Sequence, residues 1–75
     1  MEIKINGIYK HFKGNEYKVL CIAYDSETLS ELVIYQALYG EGRIYARQKK
    51  EFLSKVDKIK YPNATQEYRF QLKEE

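Results

Sequence analysis

Residues 8–24, IYKHFKGNEYKVLCIAY, contain the clearest structural pattern in the chain. The run from Ile8 to Phe12 ends at Lys-Gly-Asn (13–15), a composition typical of a turn. Residues 17–24 then alternate between two largely apolar sets, which is typical of a strand buried on both faces. The two sets are Tyr17, Val19, Cys21 and Ala23, and Lys18, Leu20, Ile22 and Tyr24. This stretch predicts a hairpin whose second strand is central and strongly curved.

The next run, residues 32–39, is ambiguous on spacing alone. Its apolar side chains recur at helical intervals after a capping-box pattern at 28–31, but its Leu-Val-Ile-Tyr segment is typical of a strand. Strand is slightly favoured over helix. A Gly-Glu-Gly turn at 40–42 leads into a short strand at 43–47, and a hairpin there favours strand for both runs.

The last third of the chain predicts one helical segment and one strand. Phe52, Leu53 and Val56 share a helical face, so we expect one or two helical turns within residues 48–56. Residues 67–72 alternate apolar and polar side chains, as a half-buried closing or edge strand does. Residues 73–75 are expected to fray. The whole pattern predicts an all-β (mainly β) fold: a small, partly open barrel of about five strands, with a short helical turn before the last strand.

Length and composition limit the class of protein. A chain of 75 residues forms a single domain, residues 1–75, with one thin core. Apolar residues make up 44% and charged residues 32%, which excludes a disordered charged tail. No apolar run reaches the roughly 20 residues of a membrane span, and the N-terminal segment is charged. We therefore expect a cytoplasmic protein that does not contact membranes.

The chain has a single cysteine, Cys21, and a single histidine, His11. Cys21 cannot form an internal disulfide, and the apolar run around it predicts a buried, inert thiol in a reducing compartment. One Cys and one His are too few soft ligands for a closed zinc site. The sequence also has no phosphate-binding loop and no G-x-S-x-G motif. We expect no metal, no cofactor and no catalytic residues.

Several ordered blocks of sequence resemble a known family. Residues 7–15, GIYKHFKGN, match its opening G-x-Y-x-H-F-K-G-N, and residues 23–28 match its A-x-x-S-E-T stretch. Residues 33–40 match its V-x-Y-x-x-L-Y-G block, and Arg47 and Phe52 occupy the arginine and phenylalanine that follow. Over about residues 7–56 the chain resembles the uncharacterised bacterial family called domain of unknown function 1653.

The resemblance implies an SH3-like barrel and therefore a strand, not a helix, for residues 32–39. The chain departs from the family's pattern in the fourth strand, where Tyr45 stands in place of the usual Trp and Gln48 in place of the usual Pro. A changed aromatic side chain alters the depth of any pocket at that position. The resemblance implies no particular reaction.

Aromatic residues are unusually frequent, with eight Tyr, three Phe and no Trp. On extended strands Tyr35 and Tyr39 share one face, and Tyr45 and Arg47 share one face of the next strand. If the two faces coincide, three rings and a guanidinium form one surface, which suits a nucleobase and its phosphate. The alternative is that this face is the core, with Arg47 extending to its rim.

Two polar segments are candidates for the rim of this surface. His11 lies just before a turn, and it either contacts a ligand or hydrogen-bonds the neighbouring loop. Glu27 and Thr28 lie in a polar loop that either contacts a ligand or is a structural turn. An excess of Lys and Arg over residues 43–60 adds an electrostatic attraction for phosphate or for an acidic partner.

These features together favour a non-catalytic binding module that recognises an anionic ligand with a flat ring, either a nucleotide or single-stranded nucleic acid. The expected ligand-binding residues are His11, Glu27, Thr28, Tyr35, Tyr39, Tyr45 and Arg47. One alternative is a peptide- or protein-docking module that uses the same groove. A less favoured alternative is a minimal hydrolase built on His11 and Glu27. Exposed strand edges also leave a homodimer open.

Overall fold

The computed structural model describes residues 2–73, and these form one five-stranded antiparallel sheet with a short helix. The strands are β1 (Ile8–His11), β2 (Glu16–Tyr24), β3 (Glu31–Ala37), β4 (Ile44–Gln48) and β5 (Phe70–Leu72), and helix α1 (Lys49–Phe52) lies between β4 and β5 in the chain. The strand order is β4-β3-β2-β1-β5, so β2 is central. The prediction of a mainly β fold is confirmed, as is the helical turn before the last strand.

The sheet is open, and the described strands do not close into a barrel. Its two edges are β4 and β5, which do not pair with each other within residues 2–73. β5 is shorter than the run of 67–72 that the alternation predicts, although Tyr68 still forms an isolated bridge to Lys55. Of the three residues expected to fray, 74 and 75 lie outside the described part of the chain. No helix within residues 2–73 is long and apolar enough to cross a membrane.

The ambiguous run forms strand β3, in agreement with the hairpin argument. Gly40 and Gly42 in the turn that follows both have positive φ, 57° and 67°, a conformation that glycine adopts without steric cost. The backbone N–H of Gly42 donates to the carbonyl of Tyr39 at 3.1 Å, and the Gln36 side chain donates to the Gly42 carbonyl at 2.9 Å. These bonds fix the register in which Tyr35 faces Tyr45 across the hairpin.

A β-bulge divides β2 and corrects the prediction for Cys21. Val19 pairs with Tyr35 and Cys21 pairs with Ile34, so Leu20 is an extra residue on the β2 side. One extra residue exchanges the two faces of a strand from that point onward. After the bulge Ile22 pairs with the fully buried Val33, and Cys21 is exposed on the opposite face. The prediction of a buried thiol is wrong, because it assumed unbroken alternation through residue 20.

The core lies on one face of the sheet, which we call the inner face. Its buried residues are Tyr9, Val19, Val33, Tyr35, Phe52 and Phe70. Helix α1 contributes Phe52, whose ring stacks on Phe70 with centroids 4.1 Å apart and planes inclined by 6°. Phe52 is completely buried, Val56 is buried and Leu53 packs against the core, so the apolar positions are confirmed as buried. The helical face is wrong beyond Phe52, because α1 ends there and Lys55 forms a β-bridge to Tyr68.

The β2–β3 turn is held by Asp25 and strained at Leu29. The Asp25 carboxylate accepts hydrogen bonds from the backbone N–H groups of Glu27 at 2.9 Å and Thr28 at 3.0 Å. These hydrogen bonds lower the pKa of the Asp25 carboxyl below its usual value. Leu29 has φ of 61° and a side chain that is 71% exposed, so packing does not offset the steric cost of this conformation.

Replacing Leu29 with glycine should therefore stabilise the fold. We expect Leu29→Gly to raise the free energy of unfolding by about 0.5–1 kcal/mol, because relief of the left-handed conformation exceeds the entropy that glycine adds to the unfolded chain. The matched control is Leu38→Gly, another exposed leucine in a turn but without a positive φ, which should lower stability. Urea denaturation measures both. A Leu29→Gly protein no more stable than the wild type would contradict the strain argument.

Candidate functional site

The inner face continues beyond the core as a group of aromatic and basic side chains that we call the tyrosine cluster. Its members are His11, Tyr17, Tyr39, Tyr45 and Arg47. The Tyr17 ring is central, with its centroid 5.5 Å from that of Tyr39, 6.4 Å from that of Tyr45 and 6.3 Å from that of His11. Tyr39 and Tyr45 keep 43% and 38% of their surface exposed. Ring faces are therefore accessible beside a cation.

Tyr35 differs from the other two predicted tyrosines because it belongs to the core. It is 4% exposed, and its ring makes edge contacts with Phe52 and Phe70 at 5.4 Å each. Its hydroxyl accepts a hydrogen bond from Nε of Arg47 at 3.1 Å. Tyr35 therefore fits the interpretation of this face as core, whereas the exposed Tyr39 and Tyr45 fit its interpretation as an open surface. Tyr35 positions the guanidinium and has no ring face free for stacking.

Arg47 is a half-buried cation without a carboxylate partner among residues 2–73. Its guanidinium carbon lies 5.9 Å from the Phe70 ring centroid, and its one hydrogen bond within the described chain goes to Tyr35. The ion pairs of the described residues all lie elsewhere, on more exposed side chains. An arginine side chain that is partly buried is normally paired with a carboxylate. The terminal amino groups of this guanidinium are thus left available to an external anion.

His11 is held by the turn that follows it, as one of its two interpretations predicts. The backbone N–H of Lys13 donates to Nδ1 of His11 at 3.1 Å, which places the proton of the neutral ring on Nε2. Burial and the positive charges of Arg47, Arg69 and Lys13 lower the pKa of His11 to about 4. At neutral pH the ring is uncharged and offers one N–H donor in a region of positive potential.

The Tyr17 and Tyr39 hydroxyls are joined by a hydrogen bond of 2.7 Å. Burial, followed by this bond, raises the pKa of Tyr17, so the phenol stays neutral over the physiological range. One of the two hydroxyls donates within this pair, which leaves the proton of the other available for a ligand oxygen.

Glu27 and Thr28 do not lie with the other predicted residues. In the β2–β3 hairpin Tyr17 pairs with Ala37 at one end, whereas Tyr24 pairs with Glu31 next to the turn at the other end. At about 3.3 Å per residue, the turn is on the order of 20 Å along the strand from Tyr17. The contacts of Thr28 are within the turn, including a 2.9 Å bond between its hydroxyl and that of Ser30. The structural-turn interpretation describes this loop.

The sequence argument missed Tyr17 and Phe70 as parts of the site. Tyr17 was assigned only to the apolar alternation of β2, and its role depends on pairing with Tyr9 on one side and Ala37 on the other. Phe70 reaches the cluster because β5 pairs with β1, which places it opposite His11. Both contacts are long-range, so no local motif marks them. As for metals, no group of three or more His, Cys, Asp or Glu side chains converges within the described part of the chain.

The lowered pKa of His11 predicts a specific pH dependence of stability. Between the unfolded pKa of 6.5 and the folded value of about 4, the unfolded chain binds more protons, so stability falls as the pH is lowered through this range. His11→Asn keeps an acceptor for the Lys13 N–H but does not titrate. Between pH 7 and pH 4 the free energy of unfolding should fall by on the order of 1 kcal/mol more in the wild type than in this variant. This value is discounted for the partial exposure of the ring.

Urea denaturation at pH 7, 5.5 and 4 measures the difference. The variant loses the packing of the imidazole ring at every pH. The comparison is therefore between the pH dependences of the two unfolding free energies and not between their absolute values. Parallel pH profiles for the two proteins would show that His11 does not titrate with a lowered pKa.

Comparison with known proteins gives one finding. Neither the curated proteins nor the solved structures include a match to this chain. The profile of a family described as protein of unknown function (DUF1653) matches residues 7–72. This match extends the resemblance seen over residues 7–56 as far as β5, and it includes all five strands and every residue of the tyrosine cluster. The chain belongs to the DUF1653 family.

Proposed function

We propose that this protein is a non-catalytic binding module that recognises a nucleotide or single-stranded nucleic acid at the tyrosine cluster. The observation that supports the proposal most directly is the half-buried Arg47 guanidinium, which has no carboxylate partner among residues 2–73. Removing a cation from water costs free energy unless an anion pairs with it. A ligand phosphate would supply that anion.

The orientation of Arg47 favours phosphate over a point-like anion. The hydrogen bond from Nε to the Tyr35 hydroxyl fixes the plane of the guanidinium, and the Phe70 ring lies beside it. A fixed guanidinium can donate two parallel hydrogen bonds to a phosphate, an arrangement that lysine cannot reproduce. The neutral His11 ring adds an Nε2 donor, and the charges that lower its pKa also attract an anion.

The rings beside Arg47 supply the second half of the recognition. Tyr39 and Tyr45 line a shallow cavity of about 140 Å³ next to the cluster. This volume is below the ~300 Å³ at which enclosed small-molecule pockets begin, so the rings act as an open stacking surface. Stacking on such a surface tolerates any base, since each base has a π face. Tyr35 serves to hold Arg47, and the proposal gives no role to Glu27 and Thr28.

A peptide is the competing ligand, since aromatic grooves also accept extended peptide segments. The two ligands differ in their response to salt. Binding through phosphate releases counterions and weakens steeply as salt is raised, whereas binding through apolar ring contacts weakens much less. The unpartnered cation favours the anionic ligand here.

A thermal-unfolding screen with Arg47 variants tests this function. Mono-, di- and cyclic nucleotides, short single-stranded DNA and RNA, and proline-rich peptides are compared. A true ligand at 100 times its dissociation constant adds about 2.7 kcal/mol, which raises Tm by on the order of ten degrees in a domain this small. Arg47→Met should abolish the shift, and Arg47→Lys should retain only part of it because it loses the planar fork.

The matched control is Lys18→Met, which removes one charge from the face of β2 opposite Tyr17 and Val19. It should leave the nucleotide-induced shift intact. No shift with any nucleotide or oligonucleotide, or an equal loss of the shift in Lys18→Met and Arg47→Met, would refute the proposal. A shift with peptides alone would assign the groove to protein partners.

A further inference from the structure

A second cleft lies between the turn after β1 and residues 60–64, outside the tyrosine cluster. It has a volume of about 340 Å³, within the range of small-molecule sites. Phe12 and Tyr61 provide its rings, which meet edge to face with centroids 5.0 Å apart. Lys13 and Lys60 provide its charges, with their Nζ atoms 5.3 Å and 5.5 Å from the Tyr61 ring centroid.

The two lysines share the Tyr61 ring. Within residues 2–73 neither ammonium group has a carboxylate in ion-pair range. Desolvation acts to raise the pKa of Tyr61, but the charges of Lys13 and Lys60 together with their hydrogen bonds to the Tyr61 side chain outweigh it, and the net shift is downward. Two like charges beside a neutral ring repel each other, and a bound anion would remove that repulsion.

The loop that carries Tyr61 and Lys60 is well ordered by its own hydrogen bonds. Asp57 accepts from the backbone N–H of Tyr61 at 2.8 Å through its carbonyl, and from the backbone N–H groups of Ile59 and Lys60 through its carboxylate. The Lys58 ammonium donates to the Ala64 carbonyl at 2.6 Å. These bonds fix the path of the loop backbone from which Lys60 and Tyr61 project.

The cleft is continuous with the tyrosine cluster through a row of rings. The His11 ring lies 6.3 Å from Tyr17 on one side and 4.5 Å from Phe12 on the other, centroid to centroid. Phe12 in turn contacts Tyr61. Cations accompany the row at both ends, with Arg47 at the cluster and the two lysines at the cleft. A row of rings with cations at both ends suits a single strand, whose bases can stack on the rings while its phosphates contact the cations.

We propose that this cleft is a second nucleotide subsite, so that the ligand of the protein is a single-stranded oligonucleotide that extends from Arg47 to Tyr61. The inference rests on the proposed function, because Arg47 holds the first phosphate. Lys13 and Lys60 contact a further phosphate, and Phe12 and Tyr61 contact its base. A mononucleotide fills only one of the two positions and binds more weakly.

The test measures how affinity depends on oligonucleotide length. NMR titrations of the ¹⁵N-labelled protein with thymidine monophosphate and with single-stranded dT2, dT4 and dT8 give the dissociation constants. In the wild type, affinity should rise at least tenfold from the monophosphate to dT8. In the double variant Lys60→Gln/Tyr61→Leu this rise should disappear, while the affinity for the monophosphate stays within twofold of wild type.

Two controls separate a specific subsite from general attraction. Lys10→Gln removes one charge from β1 on the face opposite Tyr9 and His11, and it should leave the length dependence unchanged. The slope of log K against log [salt] for dT8 should decrease in magnitude by about 0.7 for each lost phosphate contact in Lys60→Gln, and not in Lys10→Gln. An octaglutamate peptide that binds as tightly as dT8 would overturn the subsite in favour of non-specific charge attraction.

The outcomes distinguish this inference from the function on which it rests. Equal affinity for the monophosphate and dT8 in the wild type, with both still dependent on Arg47, would overturn the second subsite and leave the proposed function standing. An affinity that still rises with oligonucleotide length in Lys60→Gln/Tyr61→Leu would also overturn the second subsite and leave the proposed function standing. No binding of any nucleotide or oligonucleotide would overturn both.

Discussion

The stacked rings of Phe52 and Phe70 give this open sheet a core. The five strands have a single inner face, and the sheet does not close on itself, so a side chain from outside the sheet has to cover that face. Helix α1 is a single turn and β5 is three residues long, yet each contributes one fully or nearly buried phenylalanine. Burial of rings of this size yields roughly 1.5–3 kcal/mol each, a large share of the net stability of a small domain. Val19 and Val33 are completely buried in the same cluster.

The same pair sets the boundary between core and site. Phe70 contacts Phe52 on the apolar side, and it lies within 5.9 Å of the Arg47 guanidinium and 4.9 Å of the His11 ring on the other. The cation is thus held at the margin of a dry core, where the local dielectric strengthens its field, and Tyr35 fixes its plane from below. The proposed binding needs no deep pocket, because it relies on a cation of fixed orientation and on adjacent rings.

Local sequence patterns predicted the strands, the turns and the helical turn that carries Phe52, because alternation, Gly-containing turns and apolar spacing are all local signals. The 52/53/56 spacing did not mark a helical face, since α1 ends at Phe52. Local patterns could not reveal the bulge, since one extra residue at Leu20 is defined only by its partner strand. For the site, the register of one hairpin was enough to bring Tyr35, Tyr45 and Arg47 onto one face. Glu27 and Thr28 were placed wrongly at the rim, because the length of β2 separates their turn from the cluster. Lys60 was noted only as part of the basic run at 43–60, and Tyr61 carries no periodic signal, so their placement beside Phe12 and Lys13 came from the structure.

The bulge also gives the two faces of the sheet different chemistry. The single cysteine, Cys21, exposes its thiol on the face of the sheet opposite the inner face, whereas Arg47 and His11 lie on the inner face. A fluorophore or solid support coupled to that thiol would stand on the far side of the sheet from the tyrosine cluster. By the same geometry, air oxidation would join two molecules back to back and leave both tyrosine clusters open, so that a disulfide-linked dimer would present two copies of the proposed site.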